Sequence, residues 1–204
     1  MTNNRGTLFI VSGPSGTGKG TIMDEYFKKY PEDNTFLSVS MTSRAPRPID
    51  KEGVTYYFKT REEFEYLIEH DGLAEWTEFC GNYYGTPKKP VNDMLDSGRN
   101  VVLEIEVDGG MQVKKTFESA VGIFVLPPSL DELKRRLRNR NTESEEVINT
   151  RIARAFKEIK EINNYDYVIV NDDIDKAVEI FRSIMIGECQ KVSRNKNIIE
   201  EVFK

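Results

Sequence analysis

The residues best equipped for chemistry stand near the start of the chain, at Gly13-Pro14-Ser15-Gly16-Thr17-Gly18-Lys19-Gly20-Thr21. Their spacing fits G-x-x-x-x-G-K, a loop that cradles phosphate. Its glycines let successive backbone N–H groups turn toward one point. The helix that follows adds the positive end of its dipole, and Lys19 brings a point charge to the outer phosphates. The pattern ordinarily has Ser or Thr directly after the lysine, to hold Mg²⁺. Here Gly20 stands there and Thr21 follows. Either Thr21 takes the part, or the nucleotide, water and an acid elsewhere hold the metal. Two acids qualify. Glu104 and Glu106 alternate along the run Asn100–Asp108, which reads as one strand, and so are expected on one face near its carboxyl end. One carboxylate would hold a magnesium-bound water and the other would accept hydrogen bonds from a base or ribose. Arg44 and Arg47 flank Pro46 and read either as a solvated turn or, beside the phosphate loop, as two guanidinium forks suited to a dianionic phosphate.

Buried strands and helices must position these groups. Short apolar runs at Thr7–Ser12, Asn100–Asp108, Gly122–Leu126 and Tyr167–Val170 read as strands. Helices are expected from Gly18 to Lys29, near 87–97, on both sides of residue 140, and over 174–189. Ser129 with Glu132, and Thr142 with Glu145, form capping patterns for the two helices around residue 140. Strands alternating with helices predict an α/β fold, a parallel sheet covered on both faces. Residues 37–89 differ in texture, with dense aromatics and glycines and short runs, the first of them Leu37–Met41. They read as an inserted small mixed lobe whose one helix begins at a Thr60/Glu63 capping box. The expected layout is one domain, with its core in 1–36, 87–130 and 155–204, a lobe at 37–86, and a helical lid at 131–154.

Composition narrows the function classes. The 204-residue chain is 38% hydrophobic and 31% charged, typical of a globular domain. No apolar run approaches the length of a membrane span, and the polar start lacks a signal-peptide layout, so a cytoplasmic protein is expected. The net charge of −5 disfavours a nucleic-acid groove. Cys80 and Cys189 read as ordinary thiols. The single histidine, His70, reads as a solvated residue in the last turn of a helix, which leaves no basis for a His triad or a zinc site. Lys134–Arg140 carries five cations and no acid. Lys134 and Arg135 fit a solvated helix face, whereas Arg140 falls in the loop between two capped helices.

Several segments resemble the guanylate kinase family. They are Ser38–Pro48, Gly53–Phe58, Glu75-Trp76 and Gly81–Thr86, together with the phosphate loop, Arg136–Glu143 and Val168–Asp172, all in family order. The resemblance runs from about residue 7 to 190. It implies a P-loop NTPase-type core with an inserted GMP-binding lobe, and an enzyme that moves the γ-phosphoryl group of ATP to GMP with Mg²⁺. Partners would be the two small nucleotides, with no nucleic acid and no membrane, in a monomer or a homodimer.

By motif position, Ser40, Arg44, Arg47, Tyr56 and Tyr84 would hold the GMP phosphate, while Glu75, Thr86 and Glu104 would read the guanine. Guanine presents N1–H and N2–H₂ donors that an acceptor-only carboxylate matches and adenine lacks. Residues 13–21, Arg136 and Asn171 would bind ATP, with Asn171 near the adenine. Lys19, Arg44, Arg140 and Arg151 would act on the transferring phosphoryl group, and Thr21 and Glu106 would serve Mg²⁺, through water if need be. Tyr57, Phe58 and Trp76 are expected as core. The family usually has glycines where Asn139 and Asn141 stand, and Gln where Asp108 stands. No role follows for Asp108.

Overall fold

The computed structural model describes residues 5–138, 145–195 and Val202. Strand β1 (Leu8–Ser12) is buried along its whole length and forms the middle of a five-stranded parallel sheet. Its neighbours are β7 (Asn100–Glu104) and β8 (Val121–Leu126). The outer strands are β2 (Thr35–Leu37), beside β7, and β9 (Tyr167–Val170), beside β8. Helices α1 (Lys19–Lys29) and α7 (Ile174–Cys189) pack on one face through Ile22, Met23, Tyr26, Phe181 and Met185. The other face is covered by α3 (Lys88–Asp96) and α4 (Val107–Thr116) through Val91, Leu95 and Val113. This is the expected α/β core.

The lobe is a second sheet, in the order β4 (Tyr57–Phe58), β3 (Met41–Thr42), β6 (Asn82–Pro87), β5 (Leu73–Phe79). Helix α2 (Arg61–Glu69) seats Phe64 against it, and both halves of the Thr60/Glu63 capping box are formed. His70 caps the end of α2 and stacks on Tyr66 in solvent, and both cysteines are free. Beyond the lobe, α5 (Leu130–Arg138) and α6 (Glu145–Ile159) share a small core of Leu133, Leu137, Ile148 and Ala155. Ser129 Oγ accepts from the Glu132 N–H at 3.1 Å, as its capping pattern requires. Thr142, Asn139, Asn141 and Arg140 lie outside the described residues.

Three expectations change. The run Leu37–Met41 is split: β2 closes the core sheet, and the chain then crosses at Ser38–Ser40 to begin β3 in the lobe. The run Asn100–Asp108 is a strand only to Glu104. Glu106 is the N-cap of α4, so the two acids do not share a strand face. Gly109 and Gly110 made that helix hard to foresee, being poor helix formers. They are needed for close approach: a Cβ on Gly109 would lie 2.8 Å from Glu75 Oε2, and one on Gly110 would strike the Tyr165 hydroxyl. Trp76, finally, is 37% exposed rather than core, because β5 leaves the interior after Glu75.

Candidate active site

The phosphate loop joins β1 to α1 at the carboxyl end of the sheet. Gly18, the N-cap of α1, has φ +89°, a left-handed conformation that a Cβ would strain. A side chain there would also strike the Asn171 amide. That amide donates to the Thr17 carbonyl at 2.8 Å and so fixes the back of the loop. Thr17 is fully buried and turns its hydroxyl inward to the Pro14 carbonyl at 3.0 Å. Lys19 Nζ donates to the carbonyls of Gly13, at 2.6 Å, and Pro14, at 3.2 Å. The ammonium is thereby folded across the loop mouth.

Two arginines from the α5–α6 pair reach this loop. Arg136 donates to the Thr17 carbonyl at 3.3 Å and to the Asn171 carbonyl at 2.9 Å, while Glu132 braces its Nε at 2.7 Å. Arg151, on α6, donates to Ser15 Oγ at 2.9 Å. The expected ATP-side residues 13–19, Arg136, Arg151 and Asn171 therefore converge.

In the lobe, Arg44 sits between Asp50 and the ring of Tyr56. Its Nη2 donates to Asp50 Oδ2 at 2.8 Å, and its guanidinium carbon lies 5.7 Å from the ring centroid. Tyr56 and Tyr84 have ring centroids 6.0 Å apart. Burial raises the Tyr56 hydroxyl above its ordinary value, so it enters as a neutral donor. Asp50 also accepts the Arg47 backbone N–H at 2.7 Å, while the Arg47 side chain is exposed. Those two hydrogen bonds hold the Asp50 carboxyl below its usual range, the Arg47 N–H contributing most. Ser40 lies half-buried at the crossing between the two sheets.

Asp50 was not anticipated from sequence. Its signal was there: an acid three residues after Arg47 can close a turn by accepting that residue's N–H.

The acids divide. Glu75 is 6% exposed, and Thr86 Oγ1 donates to its Oε1 at 2.7 Å. Burial pushes its carboxyl up to about 7, against the Thr86 hydrogen bond, and the nearby charge of Glu106 adds to the rise. Glu104 lies against the start of α1. A Cβ on Gly20 would lie 3.5 Å from its Oε1, and Lys19 and Asp24 are the charges it feels. Burial raises it too, with Lys19 acting in the opposite sense. Thus Glu104, expected beside Glu75, faces the start of α1, and Glu106, expected with the phosphates, neighbours Glu75. The reason is the early end of β7. Glu104 is the last residue of that strand, and the chain has turned into α4 by Glu106.

Glu106 is also ion-paired with Arg154, whose Nε donates to Glu158 at 2.8 Å. Neither Arg154 nor Glu158 was singled out from sequence. Thr21 is exposed on the outer side of α1. Among the described residues there is no cluster of three or more His, Cys, Asp or Glu that could cage a metal. No helix there is long and apolar enough to cross a membrane.

The chain is similar to known proteins along almost its whole length. The family model "Guanylate kinase" matches residues 5–188. A guanylate kinase of Desulfitobacterium hafniense is 48% identical over 202 residues, covering 99% of this chain and 100% of that protein. One of Bacillus cereus is 50% identical over 189 residues, covering 92% and 91%. The crystal structure of guanylate kinase from Anaplasma phagocytophilum superposes with a TM-score of 0.74 at 34% identity, over 94% of this chain and 90% of that one.

Proposed function

The chain belongs to the guanylate kinase family, and on that premise we propose that it transfers the γ-phosphoryl group of ATP to GMP, giving ADP and GDP. The observation that carries this reading is the buried Glu75–Thr86 pair in the same lobe as Arg44, Tyr56 and Tyr84. Arg44 and Arg47, with the Tyr56 and Tyr84 hydroxyls, take the GMP phosphate. Asp50 aligns Arg44 for that fork. Glu75 accepts from the guanine donors, and Thr86 orients its carboxylate. We take Glu106, whose charge is felt at Glu75, as the second base acceptor in place of Glu104.

On the donor side, residues 13–19 wrap the ATP phosphates, and Arg136 and Arg151 reach over them. Arg140 is assigned to the same group by motif position alone. The acceptor is already an anion, so no general base is needed. Alignment of the two phosphates and neutralisation of charge spread over the transferring oxygens supply the rate. Lys19 swings from the Gly13 and Pro14 carbonyls to the phosphates when they arrive.

The reaction class uses Mg²⁺, and the residues present suit it. The loop lacks the usual hydroxyl at Gly20, but the Glu104 carboxylate reaches across that position. One carboxylate together with substrate phosphates and water is a common Mg²⁺ environment. Glu104 is therefore the holder of choice, with exposed Thr21 the lesser candidate. Bound there, the ion would supply positive charge against the developing phosphate charge.

The test is kcat/KM for GMP and for AMP in Glu75→Gln and Glu106→Gln proteins. Discrimination should fall by ~10² in the first, since each lost carboxylate leaves guanine donors unpaired. Unchanged discrimination in both would remove the base-reading assignment.

A further inference from the structure

The proposed mechanism uses Arg151 but leaves Arg154, three residues further along α6, without a part. Arg154 donates through Nε to Glu158, whose side chain is 10% exposed, and through Nη2 to Glu106. Asp108, in the first turn of α4, adds a third negative charge facing it. That residue stands where the family commonly has Gln, and nothing in the sequence gave it a purpose. Here it strengthens the pull on Arg154. The guanidinium thus joins two helices. One, α6, reaches the phosphate loop through Arg151 and Ser15. The other, α4, backs the base pocket, with Gly109 against the Glu75 carboxylate.

As a source of stability the contact is weak. Arg154 and Glu106 are 43% and 62% exposed, and exposed pairs contribute little. Its consequence lies in orientation. Glu75 and Glu158 both feel the Glu106 charge, Asp108 faces the same guanidinium, and Glu106 would be repelled outward without a cation. We propose that Arg154 is a positioning residue: it holds Glu106 beside Glu75 and ties recognition of the GMP base to the helix that carries Arg151. This rests on the assignment of Glu106 as a base acceptor. A ligand that orders α6 through Arg151 then also prepares Glu106, so ATP and GMP should each favour the other's binding, by reciprocal amounts.

The experiment is steady-state kinetics of Arg154→Ala, Arg154→Lys, Glu106→Gln and the Arg154→Ala/Glu106→Gln double variant. It is paired with calorimetry of GMP binding with and without the β,γ-imido analogue of ATP. Arg154→Ala should raise KM for GMP about tenfold, the share of one charge-assisted hydrogen bond, with kcat and KM for ATP within about twofold of wild type. Arg154→Lys should recover part of the loss. The double variant should be no worse than Glu106→Gln alone. The factor by which the analogue tightens GMP binding should fall toward one in Arg154→Ala.

If Glu106→Gln weakens GMP binding but neither Arg154 variant does, the positioning role is wrong and the base reading stands. If Glu106→Gln leaves KM for GMP unchanged, the assignment of Glu106 as a base acceptor fails and the inference fails with it, while the reading of Glu75 is decided by its own variant. Equal losses in kcat and in both KM values for both Arg154 variants would mark a merely structural role, and also overturn it.

Discussion

Replacing Glu75 by Gln should make the nucleotide-free protein more stable, and only above a definite pH. The carboxyl ordinarily titrates near 4.5, and burial holds it up to about 7. In the unfolded chain it ionises above about 4.5. In the native state it keeps its proton to about 7. Between those values the native state binds the extra proton, so stability falls as pH rises through the window. The shift corresponds to roughly 3 kcal/mol, fully expressed above pH 7 and absent below about pH 4.5. Gln has the same shape, cannot ionise, and still accepts from Thr86. Urea unfolding of both proteins from pH 4.5 to 8.5 isolates this one group, because the other titrations cancel in the difference. The variant's advantage should grow by about 3 kcal/mol across the series, equivalent to roughly 6–12 °C in Tm for a chain of this size. Thr86→Val should move the midpoint upward, since the Thr86 hydroxyl favours the charged form. A stability difference that stays flat across the range would refute a buried carboxyl held near 7.

Other changes have equally definite consequences. Lys19→Ala should leave GMP affinity unchanged in calorimetry but reduce turnover by ~10³ or more, because charge on the transferring oxygens goes unmet. Asp50→Asn keeps an acceptor for the Arg47 N–H but loses the ion pair that aligns Arg44. KM for GMP should rise about tenfold while KM for ATP stays constant. Gly18→Ala forces a Cβ into a left-handed turn and against Asn171. Denaturant unfolding should register a loss of about 1–3 kcal/mol, with weaker ATP binding and unaltered GMP binding.

Where local rules and tertiary structure agree, the sequence was readable. The buried run before Gly13 is β1, the Thr60/Glu63 pattern caps α2, and α7 occupies 174–189 as expected. The phosphate loop was plain because its glycine spacing encodes backbone geometry directly. The failures come from contacts between distant residues. Strand-like alternation through Glu104, Ile105 and Glu106 hid the turn into α4. The two glycines there answer to Glu75, Ser12 and Tyr165 rather than to helix propensity. That single misread boundary exchanged the surroundings of Glu104 and Glu106. Leu37–Met41 looked continuous because its residues suit either sheet, and only pairing with Asn100–Val102 assigns Thr35–Leu37 to the core. Asp50 and Arg154 were visible as charges, but their partners lie across turns and helices that a linear pattern does not join.

ADP formation from ATP and Mg²⁺, with GMP, AMP, CMP, UMP and dTMP offered one at a time, decides whether the enzyme phosphorylates GMP selectively. Turnover confined to GMP is the expected result, and it would support Glu75, Thr86 and the arginine fork together. Turnover with a different monophosphate, or with none in a folded protein that still binds GMP, would contradict it.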